Sequence, residues 1–177
     1  MRLENSFEVA APVEQAWQLL NDVPRIVSCM PGAALTETVG ENAWRGVVHV
    51  KLGPMALQFG TDVERQTRDD DAHRVVLVTN AREVRGRGNA QATIESRLQG
   101  DGATTTVDIV TELSLQGAVA QFGRGIVPQV AAELTKQFAD NVAAMIEGSP
   151  PEAAPVRGVR LGIRALWSSL VRLVRRG

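Results

Sequence analysis

Few residues of this chain have the type and the spacing that catalysis or metal binding requires. The two histidines, His49 and His73, lack a Ser, Cys or carboxylate at a spacing typical of a catalytic triad or a metal site. His49 alternates with Val48 and Val50, which predicts an exposed position on a strand, and His73 follows the acidic run "DDDA", which predicts a turn. We therefore expect both histidines to be structural or surface residues.

The other candidate reactive groups also favour structural roles. Cys29 has no neighbouring His or Lys in the sequence to activate its thiol, so we expect a buried, inert side chain. As the single cysteine, it excludes an internal disulfide and a Cys-cluster metal site. The consecutive acids of "RDDDAH" (68–73) are typical of a solvated loop, and "GRG" at 86–88 and 123–125 is too short to bind phosphate. We therefore expect no catalysis and no metal site.

The composition is that of a globular domain, but its charges are unevenly distributed. Of the 177 residues, 44% are hydrophobic and only 4% aromatic, so an aliphatic core is expected. All 20 acidic residues lie before residue 157 with 13 of the 19 basic ones, so residues 1–156 carry −7 and residues 157–177 carry +6. An acidic body disfavours nucleic-acid binding. With no apolar run typical of a signal peptide or a membrane span, we expect a cytoplasmic location.

Hydrophobic periodicity predicts both helices and strands in this chain. In chain order it predicts a strand over 1–10, helical segments over 11–23 and 25–29, strands between 33 and 115, and a long helix after Gly117. Short turns between the strands predict an antiparallel meander, and Pro128 predicts either a kink in the long helix or its start. The order predicts an α+β fold whose curved sheet wraps the last helix.

Three stretches of the chain carry recognisable motifs: "LNDVPRIVSCMPGAALTE", "VKLGPMALQFGTDVE" and "LQGAVAQFGRGIVPQVAAELTKQFADNV". They resemble, in order, the Asp-(x)n-Cys-x-Pro-Gly signature, the strand–Gly-Pro–strand hairpin and the Gly-x-x-Ala-x-x-Gly-Arg helix start of the carbon monoxide dehydrogenase G-subunit family. The resemblance covers about residues 2–147. It implies the helix-grip fold of START and Bet v 1-type proteins. It also implies an accessory role for a molybdenum-containing hydroxylase, namely membrane recruitment and handling of the quinone electron acceptor.

Several small side chains lie on the sheet face that we expect to point inward: Gly60, Thr61, Thr79, Ala81, Ala90, Ala92 and Ser96. A wrapped sheet with few aromatic residues can leave an apolar cavity against the long helix, although from the residues alone a packed core is the alternative. Given the resemblance, we expect a cavity that holds a respiratory quinone, with menaquinone as the leading candidate. An isoprenoid tail gains roughly 25 cal/mol per Å² on leaving water. The predicted ligand-binding residues are Met30, Leu57, Phe59, Leu77, Ile94, Val107, Leu113, Phe122, Ile126, Val130 and Leu134.

The cavity is expected to open where secondary structure is weakest, around "VSCMPGA" and "GAVAQFGRGIV". The predicted gate consists of Met30, Phe122 and the glycine pair Gly123 and Gly125, which loosen the start of the long helix. The alternative is that the glycines only allow a tight turn.

The last residues form a separate segment. Three prolines in "GSPPEAAP" predict a linker over 148–156. A helical wheel of 157–177 separates six arginines from an apolar face, which is typical of a helix in the membrane interface. The predicted membrane-binding residues are Arg160, Ile163, Arg164, Leu166, Trp167, Leu170, Arg172 and Leu173. The alternatives are a partner's groove, a fold back onto the acidic body and a nucleic-acid arm.

The sequence thus predicts a ligand-binding domain over 1–147, followed by the linker and a membrane-binding tail. We expect a peripheral protein on the inner face of the cell membrane that binds menaquinone, with no covalent cofactor. Its expected partner is carbon monoxide dehydrogenase or a related molybdenum hydroxylase, and its other contact an anionic membrane. The alternatives are a ligand-free adaptor that anchors the hydroxylase and a cyclase-like or hydrolytic enzyme of the same fold.

Overall fold

The computed structural model of the protein describes residues 1–52 and 55–148 and has the α+β fold expected from the periodicity. The strands are β1 (Arg2–Val9), β2 (Ala33–Gly40), β3 (Ala43–Leu52), β4 (Met55–Asp69), β5 (Arg74–Glu83), β6 (Gly88–Asp101) and β7 (Thr104–Gly117). The helices are α1 (Val13–Asn21), α2 (Val23–Ile26) and α3 (Gly123–Ile146), with 3₁₀ turns at Val27–Cys29 and Ala118–Phe122.

The strands form one antiparallel sheet in the order β1-β7-β6-β5-β4-β3-β2. Strands β2 to β7 follow one another as hairpins, which is the predicted meander. Strand β1 instead pairs with β7, from Arg2 opposite Glu112 to Val9 opposite Thr105. The segment containing α1 and α2 therefore carries the chain from one edge of the sheet to the other.

Residues that alternate along the strands divide the sheet into an inner face, which points towards α3, and an outer face. On the inner face, a first core surrounds Trp17, Cys29 and Leu98 and includes Phe138 and Val142 of α3. The rings of Phe7 and Phe138 meet edge to face there, with centroids 5.8 Å apart. A second core contains Leu52, Leu57, Phe59 and Val119, with Ile126 and Val130 of α3 packed against it. The 24 residues of α3 span about 36 Å, so one helix reaches both cores.

Two glycines make the turn from β7 towards α3. Gly88 and Gly117 are paired across β6 and β7, and both have positive φ, 146° and 76°. A Cβ on Gly117 would lie 2.9 Å from the Cα of Gly88, which is closer than real Cβ contacts allow. The helix that follows begins at Gly123, so Pro128 lies inside α3 and does not mark its start.

Candidate functional site

The inner face of the sheet is only half-buried between the two cores. Cross-strand pairing arranges these half-buried residues in three adjacent rows: Gly46, Thr61, Ala81 and Ala90; Val63, Thr79, Ala92 and Leu113; Leu77, Ile94 and Thr111. Residues that face a helix across a filled core are normally buried. Their partial exposure means that no filled core covers these central strands, and we call this incompletely covered part of the inner face, opposite α3, the central crevice.

Side-chain size and the path of α3 both account for the central crevice. Most of its side chains are Gly, Ala or Thr, which are too short to fill the space. The backbone of α3 lies close to β1, to β3 and to the Val27–Cys29 turn, and makes at most isolated close approaches to β4, β5, β6 and β7. At its C-terminal end α3 is held by Asn141, whose Nδ2 donates to the carbonyl oxygen of Cys29 over 2.9 Å. The backbone of the helix therefore passes over the central strands without packing closely against them.

The structure places the predicted ligand-binding residues in several different environments. Leu57, Phe59, Ile126 and Val130 lie in or against the second core, and Val107 and Leu77 in or against the first. Ile94, Leu113 and Leu134 are half-buried. Met30 is 38% exposed, and the side chain of Phe122 lies outside the described part. The prediction that Gly60 faces inward is wrong, because Gly60 pairs with Val47 and Arg82 on the outer face.

The residues of the predicted gate are not brought together. Met30 follows Cys29, whose carbonyl is bonded to Asn141 near the end of α3. Gly125 lies 16 residues earlier in the helix, which corresponds to about 24 Å along its axis. Met30 and the glycine pair therefore mark two different places on the domain. Most of the predicted linker and all predicted membrane-binding residues, from Arg160 to Leu173, lie outside the described residues.

Two titratable side chains that the periodicity did not reveal lie on the inner face of the described strands. Glu83 is buried, which raises the pKa of its carboxyl group, but backbone N–H groups of Arg87 and Arg85 donate to Oε2 and hold the pKa below its usual value. Arg65 donates to Asn42 Oδ1 over 2.9 Å. Its guanidinium lies 5.4 Å from the ring centroid of Trp44, and burial lowers its pKa.

Arg65 and Glu83 are too far apart to act as an acid–base pair. Glu83 lies opposite Phe59, which is six residues from Arg65 along β4, or about 20 Å. His49 is exposed on β3, as predicted. His73 lies in the predicted turn, where its Nε2 is 3.0 Å from Glu14 Oε1 and its ring contacts Trp17 edge to face.

Cys29 is completely buried, and burial raises the pKa of its thiol. Its sulfur lies 3.9 Å from that of Met145. Among the described residues no group of three or more His, Cys, Asp or Glu side chains could hold a metal ion. The described helices also include none that is long and apolar enough to cross a membrane.

A second concavity, with a volume of about 690 Å³, lies on the outer face of the sheet. The concavity is lined by polar side chains of two cross-strand rows, including Asn80, Gln91, Asn89 and Gln116. Gly60, which has no side chain, leaves a gap in one of these rows. Sequence periodicity alone does not show this groove, because it depends on the register of several strands.

The sequence profile of the family described as the G subunit of carbon monoxide dehydrogenase (CoxG) matches residues 6–147. The chain belongs to this family. The match begins in β1 and ends just after α3, so it covers nearly the whole folded domain. No curated protein sequence matches the chain significantly.

Solved structures share the fold of this CoxG-family domain at low sequence identity. A conserved protein from Geobacillus kaustophilus is 20% identical with a TM-score of 0.75, over 84% of this chain and 96% of that one. The ZhuI aromatase/cyclase from Streptomyces is 16% identical with a TM-score of 0.61, over 88% and 99%. A START superfamily protein from Mycobacterium smegmatis is 14% identical with a TM-score of 0.55, over 83% and 97%. The helix-grip fold that the motifs implied is thereby confirmed.

Proposed function

We propose that this protein is a carrier of a hydrophobic ligand and that the central crevice holds a respiratory quinone, with menaquinone as the leading candidate. In this proposal the carrier serves carbon monoxide dehydrogenase or a related molybdenum hydroxylase at the inner face of the cell membrane. The observation that carries the proposal is the half-buried inner face between two filled cores.

The chemistry of the central crevice suits an apolar ligand with few polar groups. Its walls are mostly aliphatic, from Leu77, Ile94, Leu113 and Val63, and ligand sites of this kind add a small number of polar anchors. One such anchor is Thr61, whose Oγ1 is buried without a hydrogen-bond partner among the described residues. A ligand carbonyl could satisfy that hydroxyl after rotation about χ1, because hydroxyls bond in several rotamers.

The inner face supports binding better than catalysis. A general acid and a general base that act in one step must both reach the same bound substrate, whereas Arg65 and Glu83 lie about 20 Å apart along β4. The Oε2 oxygen of Glu83 is also occupied by two backbone N–H groups. This argument bears on the cyclase alternative, because the same fold occurs in the ZhuI aromatase/cyclase.

The name of the family and the composition of the tail support the proposed location and partner. The family takes its name from carbon monoxide dehydrogenase, which implies association with that enzyme. The six arginines and the apolar residues of 157–177 would bind an anionic leaflet, where each arginine contributes on the order of 1 kcal/mol at low salt.

Uptake of menaquinone by the full chain tests the proposal. The protein is incubated with menaquinone delivered from a cyclodextrin complex, separated by gel filtration and extracted with organic solvent, and the quinone is quantified. We expect a stoichiometric amount with the wild type and with Ala56→Phe on the outer face, and little with Ala92→Phe, which fills the central crevice. If the wild type retains no quinone, the carrier proposal is wrong and a ligand-free adaptor is left.

A further inference from the structure

One end of the domain carries a cluster of cations without matching acids. This end of the domain contains the ends of the β3–β4 and β5–β6 hairpins and the start of α3. We call it the basic end after four of its described cations, Lys51, Arg82, Arg85 and Arg87. Within the described residues none of these four forms an ion pair. Most arginines elsewhere on the sheet are paired with an acid, as in Arg74 with Glu95 at 2.8 Å and Arg45 with Glu37 at 2.9 Å, whereas Arg65 donates to Asn42.

The acid nearest in sequence to this cluster does not neutralise it fully. Glu83 is buried and accepts the backbone N–H groups of Arg85 and Arg87, so its carboxylate is turned away from solvent. The surplus is local, because residues 1–148 contain 19 acidic and 13 basic side chains. At the opposite end of the sheet, the β4–β5 turn carries three consecutive acids (69–71), of which Asp70 is paired with Arg68 at 2.8 Å, and β6 ends at Asp101. The domain is therefore electrically polarised along its strands.

An exposed apolar side chain lies within the basic end. Val84, between Arg82 and Arg85 in the sequence, is 56% exposed. An aliphatic side chain flanked by arginines suits the boundary between lipid headgroups and acyl chains, where the cations meet phosphates and the apolar group leaves water. An acidic protein surface would match the cations, but an aliphatic side chain among several cations favours a surface that also has a hydrocarbon interior.

We propose that the basic end docks on anionic lipid headgroups with Val84 in the interface, so that the folded domain, and not only its tail, contacts the membrane. The start of α3 and the second core then face the bilayer, and a quinone would pass between lipid and the central crevice at this end. The purpose of this contact rests on the proposed function, but its existence is tested without a quinone.

A fluorophore at Val84 tests the docking directly. Because Cys29 is 0% exposed, a Val84→Cys variant of the full chain can be labelled at one thiol with an environment-sensitive dye. The matched control is Val39→Cys, since Val39 is 50% exposed on β2 near the opposite end of the sheet. A tail that merely tethers the domain would bring both dyes near the membrane equally.

On vesicles of phosphatidylcholine and phosphatidylglycerol, we expect a blue shift and quenching by a lipid-borne quencher at position 84 and not at position 39. No change at position 84, or equal changes at both positions, would overturn the inference. A dye at position 84 that ignores vesicles but responds to the purified hydroxylase would assign the basic end to an acidic protein instead.

The rate of quinone transfer from vesicles tests whether quinone enters the domain at the basic end. We compare Lys51→Gln/Arg85→Gln with the charge-matched Arg25→Gln/Lys136→Gln, whose residues are exposed outside the basic end. The first variant is expected to load menaquinone from anionic vesicles about tenfold more slowly at low salt, and the control at the wild-type rate. Loading from cyclodextrin should be unchanged in both.

The two proposals fail in different ways. A wild type that takes up no menaquinone from cyclodextrin contradicts the carrier proposal, while the dye at position 84 still decides the docking. Equal slowing of both double variants from vesicles overturns the docking even when uptake from cyclodextrin is normal.

Discussion

Filling the central crevice should not cost stability, whereas overfilling the first core should. Ala92 is half-buried on the inner face between Thr79 and Leu113, and Ala16 is 1% exposed in the first core. Ala92→Leu adds three carbons to an accessible space, where burial contributes up to about 2 kcal/mol and side-chain ordering costs about 0.5–1 kcal/mol. We expect a stabilisation of about 1 kcal/mol for Ala92→Leu and, because Ala16→Leu overpacks a filled core, a destabilisation of about 1–3 kcal/mol there.

Urea unfolding of the two variants measures both effects. If the slope of the unfolding free energy against urea concentration is unchanged, the urea midpoint should rise for Ala92→Leu and fall for Ala16→Leu. A fall for Ala92→Leu as large as that for Ala16→Leu would mean that the sheet and α3 are packed tightly at this row. The central crevice would then not exist as a binding space.

Three further results are expected from local features. Hydrogen bonds from the guanidinium of Arg74 and, to a smaller extent, from that of Arg97 lower the pKa of Glu95 from 4.5 to about 2. The contribution of the Glu95 carboxylate to stability is therefore complete above about pH 4.5 and is lost as the pH falls through about 2. Urea midpoints measured across this range should depend less on pH in Glu95→Gln. A Cβ added at Gly125 would have no atom within 4 Å, so Gly125→Ala should stabilise α3 by about 1 kcal/mol. If the loose start of the helix admits the ligand, the same variant should load menaquinone more slowly. An unchanged loading rate would count against gating. Cys29 should react with a thiol reagent only at the rate of unfolding, and fast labelling in the native state would contradict its burial.

Local pattern was sufficient to predict the elements of the fold. Alternating residues predicted the strands and a 3.6-residue period predicted α3, because each periodicity follows from the geometry of one element. Pro128 was less informative, since the helix starts at Gly123 and continues through it. The resemblance supplied the helix-grip arrangement, which the family match and the solved structures then confirmed.

The site was harder to predict because it depends on pairing between distant segments. Gly60 and Thr61 were both expected to face inward, which neighbouring strand residues cannot do, and the register places Gly60 outside. The inner-face positions of Arg65 and Glu83 likewise follow from register, and their partners lie in turns. The separation of Met30 from Gly125 depends on how α3 crosses the sheet, which no local pattern encodes.

The central claim, that the crevice carries a quinone, is tested most directly by mass spectrometry of an organic extract of the full chain purified from quinone-producing cells. The Ala92→Phe variant, purified in parallel, has the same tail and therefore accounts for any lipid bound there. The account predicts a stoichiometric quinone in the wild type that is lost from the variant. No quinone in the wild type, or the same amount in both proteins, would contradict it.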